Sequence, residues 1–316
     1  MSDKLYVSSS PHFNFKCSTQ MIMGTVLIAL LPEIIMGIVL FGVAALIRIL
    51  VSVASCVLFE FLFQKVTKQK IVIANLSACV TGVMMALVCP PTAPVWMFVV
   101  GAAVAMIVAK GLFGGIGSNV FNPALTGRAF MFLSFPAAMG ASWLAPKTLA
   151  AVDAVSSATT LSAIKAGSFA VEQGTYWQYF IGNRAGCIGE TSVLLILISF
   201  AFLTLAHIID WRAPVAMIGT VAICSLIAGE DLAMSLMTGG LMFGATFMVT
   251  DYATAPVTKK GRLVFGFGCG LITFLIRKFG GYPEGVMFSI LIMNSVAPFL
   301  NNLTARKYGY GKKEAK

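Results

Sequence analysis

Charge is what this sequence has least of. Asp, Glu, Lys and Arg make up 11% of its 316 residues, against about a quarter in an ordinary soluble domain. Together with 58% apolar residues, that excludes a soluble globular protein. No hydrophilic stretch is long enough to form a domain, so nucleotide and nucleic-acid binding have nowhere to sit. No two of the seven cysteines (Cys17, Cys56, Cys79, Cys89, Cys187, Cys224 and Cys269) stand in a C-x-x-C spacing. An iron–sulfur or zinc site within the chain is therefore unsupported, and the thiols read as small packing residues. A cluster shared with a partner chain stays open. No cleavable signal peptide is expected, because the polar start carries Lys4, His12 and Lys16 and the first apolar run is too long for an h-region.

What the chain has instead is apolar runs near membrane-spanning length, recurring from end to end. The expected fold class is an all-α polytopic membrane protein with about ten transmembrane helices. The spans fall roughly at 20–39, 42–63, 72–89, 94–110, 128–146, 191–208, 213–229, 233–250, 262–277 and 284–301. The runs are continuous rather than alternating, which argues against a β-barrel. Pro136, Gly140 and Pro146 interrupt the fifth.

Loop charges orient the spans. With the N-terminus inside, sixteen of the twenty-two Lys and Arg, Arg128 among them, fall on the inner side. Lys147, Lys165, Arg184, Arg277 and Lys278 fall outside, and Arg48 lies near the outer end of the second span. Both termini are then cytoplasmic. The parts are an N-terminal segment 1–19, a first five-helix unit 20–146, an extracytoplasmic loop 147–190, a second five-helix unit 191–301 and a basic tail 302–316.

The two units share short strings. Thr92-Ala93-Pro94-Val95 recurs as Thr254-Ala255-Pro256-Val257, and Phe113-Gly114-Gly115 as Phe279-Gly280-Gly281. An odd number of spans per unit inverts the second, giving two inverted five-helix repeats of the kind in which sites form at the repeat interface. Each membrane face then receives one string of each type. Tyr282-Pro283-Glu284-Gly285 extends the outer set, and Asn122-Pro123-Ala124 with Asp251 the inner. Two pseudo-equivalent ligand sites, one near each face, are expected.

The longest polar interval holds Asp153-Ala154-Val155-Ser156-Ser157-Ala158-Thr159-Thr160. One reading is a loop of turn formers in which Asp153 or Ser156 caps a short helix over Ala158–Ala166. The other is a similarity to Asp-x-x-Ser-Ser-Ala-Thr acceptor motifs, on whose last Thr a flavin transferase places FMN through a phosphoester. A hydroxyl is needed as acceptor, small Ser157 and Ala158 leave room for a bulky donor, and an acidic residue could orient the segment.

Ser-Ser-Ala-Thr at 156–159, Val-Phe-Asn-Pro-Ala-Leu at 120–125, Thr-Asp-Tyr-Ala-Thr-Ala-Pro at 250–256 and Phe-Gly-Gly-Tyr-Pro-Glu-Gly at 279–285 together resemble the family of Rnf complex D subunits and sodium-translocating NADH:quinone reductase B subunits. The chain lacks the longer N-terminal extension usual in the latter, so the Rnf branch fits better. The similarity runs from about residue 10 to 305. It implies covalent FMN on Thr159, attached by a separate transferase on the outer side. It also implies a place in the cell (inner) membrane beside other Rnf subunits that pass electrons between ferredoxin and NAD, coupled to Na⁺ or H⁺ movement. A second, non-covalent, riboflavin-like flavin is implied in the membrane core. Ser157 stands where the family often has Gly. No catalytic residue or metal ligand is expected in this chain, nor activity by the subunit alone.

Ionisable residues inside spans are candidates for function. Glu33 is a cation or proton ligand, or a carboxylate paired with Arg48 or with a backbone gap. Glu60 reaches the interface or pairs with Lys65. Glu230 and Asp231 form a hydrated outer turn, or a cation mouth. Asp251 and Asn122 are assigned to a flavin or ion site. Arg277 and Lys278 snorkel to lipid, or they face an anionic flavin or its phosphate. His207 reads as structural. Two rivals remain, a solute channel or transporter of inverted-repeat fold and a structural membrane anchor.

Overall fold

The structure is a computed structural model that describes residues 18–140, 143–144, 156–157, 161, 164, 174–282 and 284–305. Asp153, Ala158 and Thr159 lie outside the described residues, as do Cys17, the basic tail from 306 and most of the expected loop.

Among the described residues, three helices are long and apolar enough to cross a membrane: α1 (Thr19–Phe41), α2 (Val43–Val66) and α13 (Val286–Thr304). Ser18 opens α1 by accepting the Met21 N–H, and Gly42, at φ +73°, turns the chain directly into α2. Between them lie α3 (Ser77–Leu87), α4 (Val95–Ala103, continuing with π-helical hydrogen bonding over Val104–Gly111), α5 (Pro123–Ser134), α6 (Pro136–Gly140), α7 (Thr175–Ile181), α8 (Val193–Leu205), α9 (Arg212–Ile227), α10 (Leu232–Met237), α11 (Leu241–Phe243, extended by a π turn over Gly244–Met248) and α12 (Lys259–Phe279). Trp143–Leu144 and Ser156–Ser157 form a short antiparallel pair.

Two expected spans are broken. The run 233–250 divides at Thr238-Gly239-Gly240 into α10 and α11. The run 128–146 starts earlier, at Pro123, where the Asn122 side chain accepts the Leu125 N–H, and α5 ends before Pro136. Short helices of this kind leave backbone groups open, which is tolerated at membrane depth only where protein or a cavity surrounds them.

Large apolar side chains point outward along the helices: Ile28, Ile35 and Val39 of α1, Leu50 of α2, Ile223 of α9 and Phe299 of α13 are all exposed. An outward apolar belt is the surface lipid favours, and this is a membrane protein. Inside, α9 packs along α12 and α2 along α3 and α4. Gly270 of α12 permits that approach, since a Cβ there would meet the Met217 carbonyl oxygen at 2.6 Å. α1 packs on α8, and α5 on α13, joining the two halves of the chain.

Candidate functional site

Two polar clusters sit near opposite ends of the bundle, named here by the two ends of α1. At the Phe41 end, Arg128 of α5 reaches Glu284, just before α13, at 3.0 Å. Glu284 also accepts the Gly240 N–H at 2.7 Å. Arg184 lies across from them, its Nε donating to the Thr191 carbonyl at 3.0 Å and its other nitrogens to the carbonyls of Met237 and Glu190. Arg277, in the last turn of α12, donates to the carbonyls of Ser235 (2.8 Å) and Thr238 (3.1 Å). Arg128, Arg184 and Glu190 are buried. Three guanidiniums thus face two carboxylates, Glu190 and Glu284, with Arg277 and Glu284 half-buried. The excess positive charge suits an anion.

Glycine makes this arrangement possible. Gly239 has φ +67°, and a Cβ there would lie 2.9 Å from Arg277 Nη2; a Cβ on Gly240 would lie 2.6 Å from Glu284 Oε1. The connection 182–192 folds in as well, with the Gly189 N–H donating to the Leu87 carbonyl and that of Ile188 to Cys89. The last part of the expected outer loop is therefore buried against the end of α3. Arg128, counted from sequence as an inner loop charge, lies inside the protein.

A cavity of about 390 Å³ adjoins the cluster, lined in part by Leu161, Ile164, Ser225, Arg277 and Lys278. Leu161 approaches Gly239, its Cδ2 lying 3.4 Å from where a Cβ on that glycine would stand. Arg277 Nε and Ser225 Oγ are buried without partners. Lys278 pairs with Glu230 at 2.7 Å. Asp231, at the mouth, caps α10 and accepts a hydrogen bond from the Tyr176 hydroxyl. Burial pushes the Asp231 carboxyl up, but the Tyr176 hydroxyl and the backbone N–H groups of Met234 and Ala233 outweigh it and hold it below the ordinary value.

At the Thr19 end, a second cavity of about 290 Å³ is lined by Ser77, Lys110, Asn119, Asn122, Asp251 and Tyr252, among others. Lys110 bonds Glu60 and Ser77 Oγ, both at 2.6 Å. Glu60 thus pairs with Lys110, and Lys65 lies over the Phe61 ring instead. Asn122 is fully buried, and its Nδ2 has no partner. Asp251 accepts hydrogen bonds from Thr254 Oγ1 (3.0 Å) and the Ala253 N–H. A third cavity, about 590 Å³, shares Asp251 and Tyr252 and is lined further by His207, Asp210, Arg212 and Arg262.

Asn122 and Asp251 are thus brought together, and Arg277 and Lys278 share the opposite cavity. Ser156 and Ser157 pair as backbone with Trp143 and Leu144. Arg184 and Glu190 were missed as site residues; the closely spaced Gly182, Gly186 and Gly189 were their available signal. The described residues hold no cluster of three or more metal-ligating side chains.

The family model described as the NQR2, RnfD, RnfE family matches residues 6–309. The chain is 44% identical over 317 residues to the D subunit of the Na(+)-translocating ferredoxin:NAD(+) oxidoreductase complex of Acetobacterium woodii, covering 99% of this chain and 98% of that one. It is 39% identical to the D subunit of the proton-translocating ferredoxin:NAD(+) oxidoreductase complex of Clostridium ljungdahlii, with 94% of each chain covered. The D subunit of the ion-translocating oxidoreductase complex of Citrobacter koseri is 36% identical, covering 96% of this chain and 99% of that one. The chain belongs to the NQR2, RnfD, RnfE family.

Proposed function

We propose that this chain is the membrane-embedded flavoprotein subunit of an Rnf-type, ion-translocating ferredoxin:NAD oxidoreductase complex, with FMN esterified through its phosphate to Thr159. The relatives' names support the complex. One observation carries the flavin: a cavity lined by Leu161 and Ile164, just beyond Thr159 in sequence, and also by Arg277 and Lys278. Two residues of extended chain reach about 7 Å, so an FMN tethered at Thr159 starts beside that cavity. Its volume is within the range of small-ligand pockets. The orphaned Arg277 Nε and Ser225 Oγ are donors suited to a phosphate or a flavin carbonyl.

The flavin supplies the electron-carrying chemistry, while the protein sets its position and surroundings. Arg277 and Lys278 would hold the anionic group. The Arg128–Glu284 pair ties α5 to the start of α13. At the other end, Asn122, Asp251, Asn119 and Lys110 line a cavity suited to a second, non-covalent, riboflavin-like flavin. The unpartnered Asn122 Nδ2 would donate to a ring carbonyl there.

We further read the fold as two inverted five-helix repeats in the cell (inner) membrane, with both termini cytoplasmic and the Phe41 end extracytoplasmic. Loop charge supports the orientation. Each end of the bundle carries one Thr-Ala-Pro-Val and one Phe-Gly-Gly segment, which supports the repeat. Partners are the other Rnf subunits, a flavin transferase and the bilayer; Na⁺ or H⁺ is the coupling ion.

Co-expression with a flavin transferase, followed by a denaturing gel under ultraviolet light, tests this reading. A fluorescent band is expected for the natural chain and a dark band for Thr159→Val, both inserting normally. A dark natural band beside a fluorescent control substrate overturns it.

A further inference from the structure

Glu33 lies midway along α1 and is 3% exposed. The sequence suggested Arg48 as its partner, but Arg48 donates to the carbonyls of Ala93 and Ala44. The partner is Ser199 of α8, from the other half of the chain. Ser199 Oγ stands 2.8 Å from Glu33 Oε1 and 2.8 Å from the Ala29 carbonyl oxygen.

Ser199 has one hydroxyl hydrogen for two oxygens at 2.8 Å. Either the two share it, or it goes to Ala29, whose carbonyl only accepts, and an un-ionised Glu33 Oε1–H donates to Ser199 Oγ. The other oxygen, Oε2, is buried without a partner. A neutral acid tolerates that far better than an ionised carboxylate. No described ion pair includes Glu33, and Glu60 on the neighbouring helix is held by Lys110.

The seam between α1 and α8 runs on from this contact toward the Thr19 end. A small cavity of about 50 Å³ is lined there by Val26 and Leu203, with Thr246, Thr250 and Asp251. Val26 lies three residues before Ala29, and Leu203 four after Ser199, so they share the faces that carry the Glu33–Ser199 contact. Asp251 also lines the two larger cavities at that end. His207, Asp210, Arg212 and Arg262 line the larger of those two.

We propose that Glu33 is a proton-binding site inside the membrane domain, loaded from the Thr19 end through this cavity with Asp251 at its mouth. Release breaks the Oε1–H bond and passes the proton to a water in the seam, which relays it over the roughly 10 Å of α1 between Glu33 and Val26 to the Asp251 carboxylate. The Ser199 hydroxyl then swings its hydrogen from Ala29 to Glu33 and solvates the carboxylate left behind. Uptake reverses both moves. No electron is transferred, and the site stands whether or not Thr159 carries a flavin.

Infrared spectroscopy of the intact membrane complex in H₂O and D₂O tests the assignment. The natural chain should show the carbonyl band of an un-ionised carboxylic acid, shifting to lower frequency in D₂O. Glu33→Gln, in a complex that still assembles, should lose that band. Ser199→Ala should keep it but move it upward, because the acid loses its acceptor. An identical carboxylic-acid region in the natural and Glu33→Gln complexes overturns the proposal. So does a Glu33 band that does not move in D₂O.

Discussion

Leu76 and Gly239 share one uncommon backbone conformation: φ is +61° at Leu76 and +67° at Gly239. Each precedes a short helix, α3 in one case and α11 in the other. They stand 163 residues apart, close to the spacing of the repeated Thr-Ala-Pro-Val and Phe-Gly-Gly strings. Gly adopts this conformation freely, whereas a Leu held there costs about 1–2 kcal/mol.

That contrast predicts unequal exchanges. Leu76→Gly relieves the strain but gains unfolded-chain freedom worth about 0.5–1 kcal/mol, so stability should move by less than about 1 kcal/mol. Gly239→Leu adds the strain and drives a Cβ to 2.9 Å from Arg277 Nη2, so it should lose more than about 2 kcal/mol. Thermal unfolding midpoints of the two purified variants check this.

Arg128 is buried and Glu284 half-buried, so removing one partner strands the other charge. Glu284→Gln or Arg128→Met alone should cost up to about 3 kcal/mol. The double variant should be no worse than either single one. A double-mutant cycle on thermal stability measures the coupling.

Asn122→Leu should remove any non-covalent flavin without disturbing Thr159. Its Oδ1 caps α5 by accepting the Leu125 N–H at 3.2 Å, so some stability, about 1 kcal/mol, goes with it. Chromatography of flavin released by mild denaturation should show the loss. The ultraviolet fluorescence of the denatured band should persist.

Asp210 bridges two arginines, with Arg212 and Arg262 each at 2.8 Å. Burial raises its carboxyl, but the Arg212 N–H and both guanidiniums outweigh that and hold it below the ordinary value. A depressed folded value stabilises the fold above the unfolded Asp value, about 3.9, and the benefit is lost as pH falls through the folded value. The deficit of Asp210→Asn should therefore stay constant from neutral pH to about 5 and shrink below about 4. Midpoints measured across that range check it.

Much of the scaffold was legible because membrane helices announce themselves by length and apolarity, as α1, α2 and α13 do. The breaks were less so. Thr238-Gly239-Gly240 sits inside an apolar run, and only the two glycines hinted at the division. Charge placement by loop failed at Arg128, whose partner Glu284 is remote in sequence and pulls it inside. Arg184 and Glu190 looked like members of a solvated loop, since nothing local shows that 182–192 tucks against the end of α3. The Glu33–Ser199 contact was out of reach, because only packing of α1 on α8 creates it.

The most direct measurement is the mass of the peptide containing Thr159, taken from natively isolated complex. The account predicts a peptide heavier by one FMN less the water lost on ester formation, with the added mass on Thr159. An unmodified peptide at full recovery would contradict it.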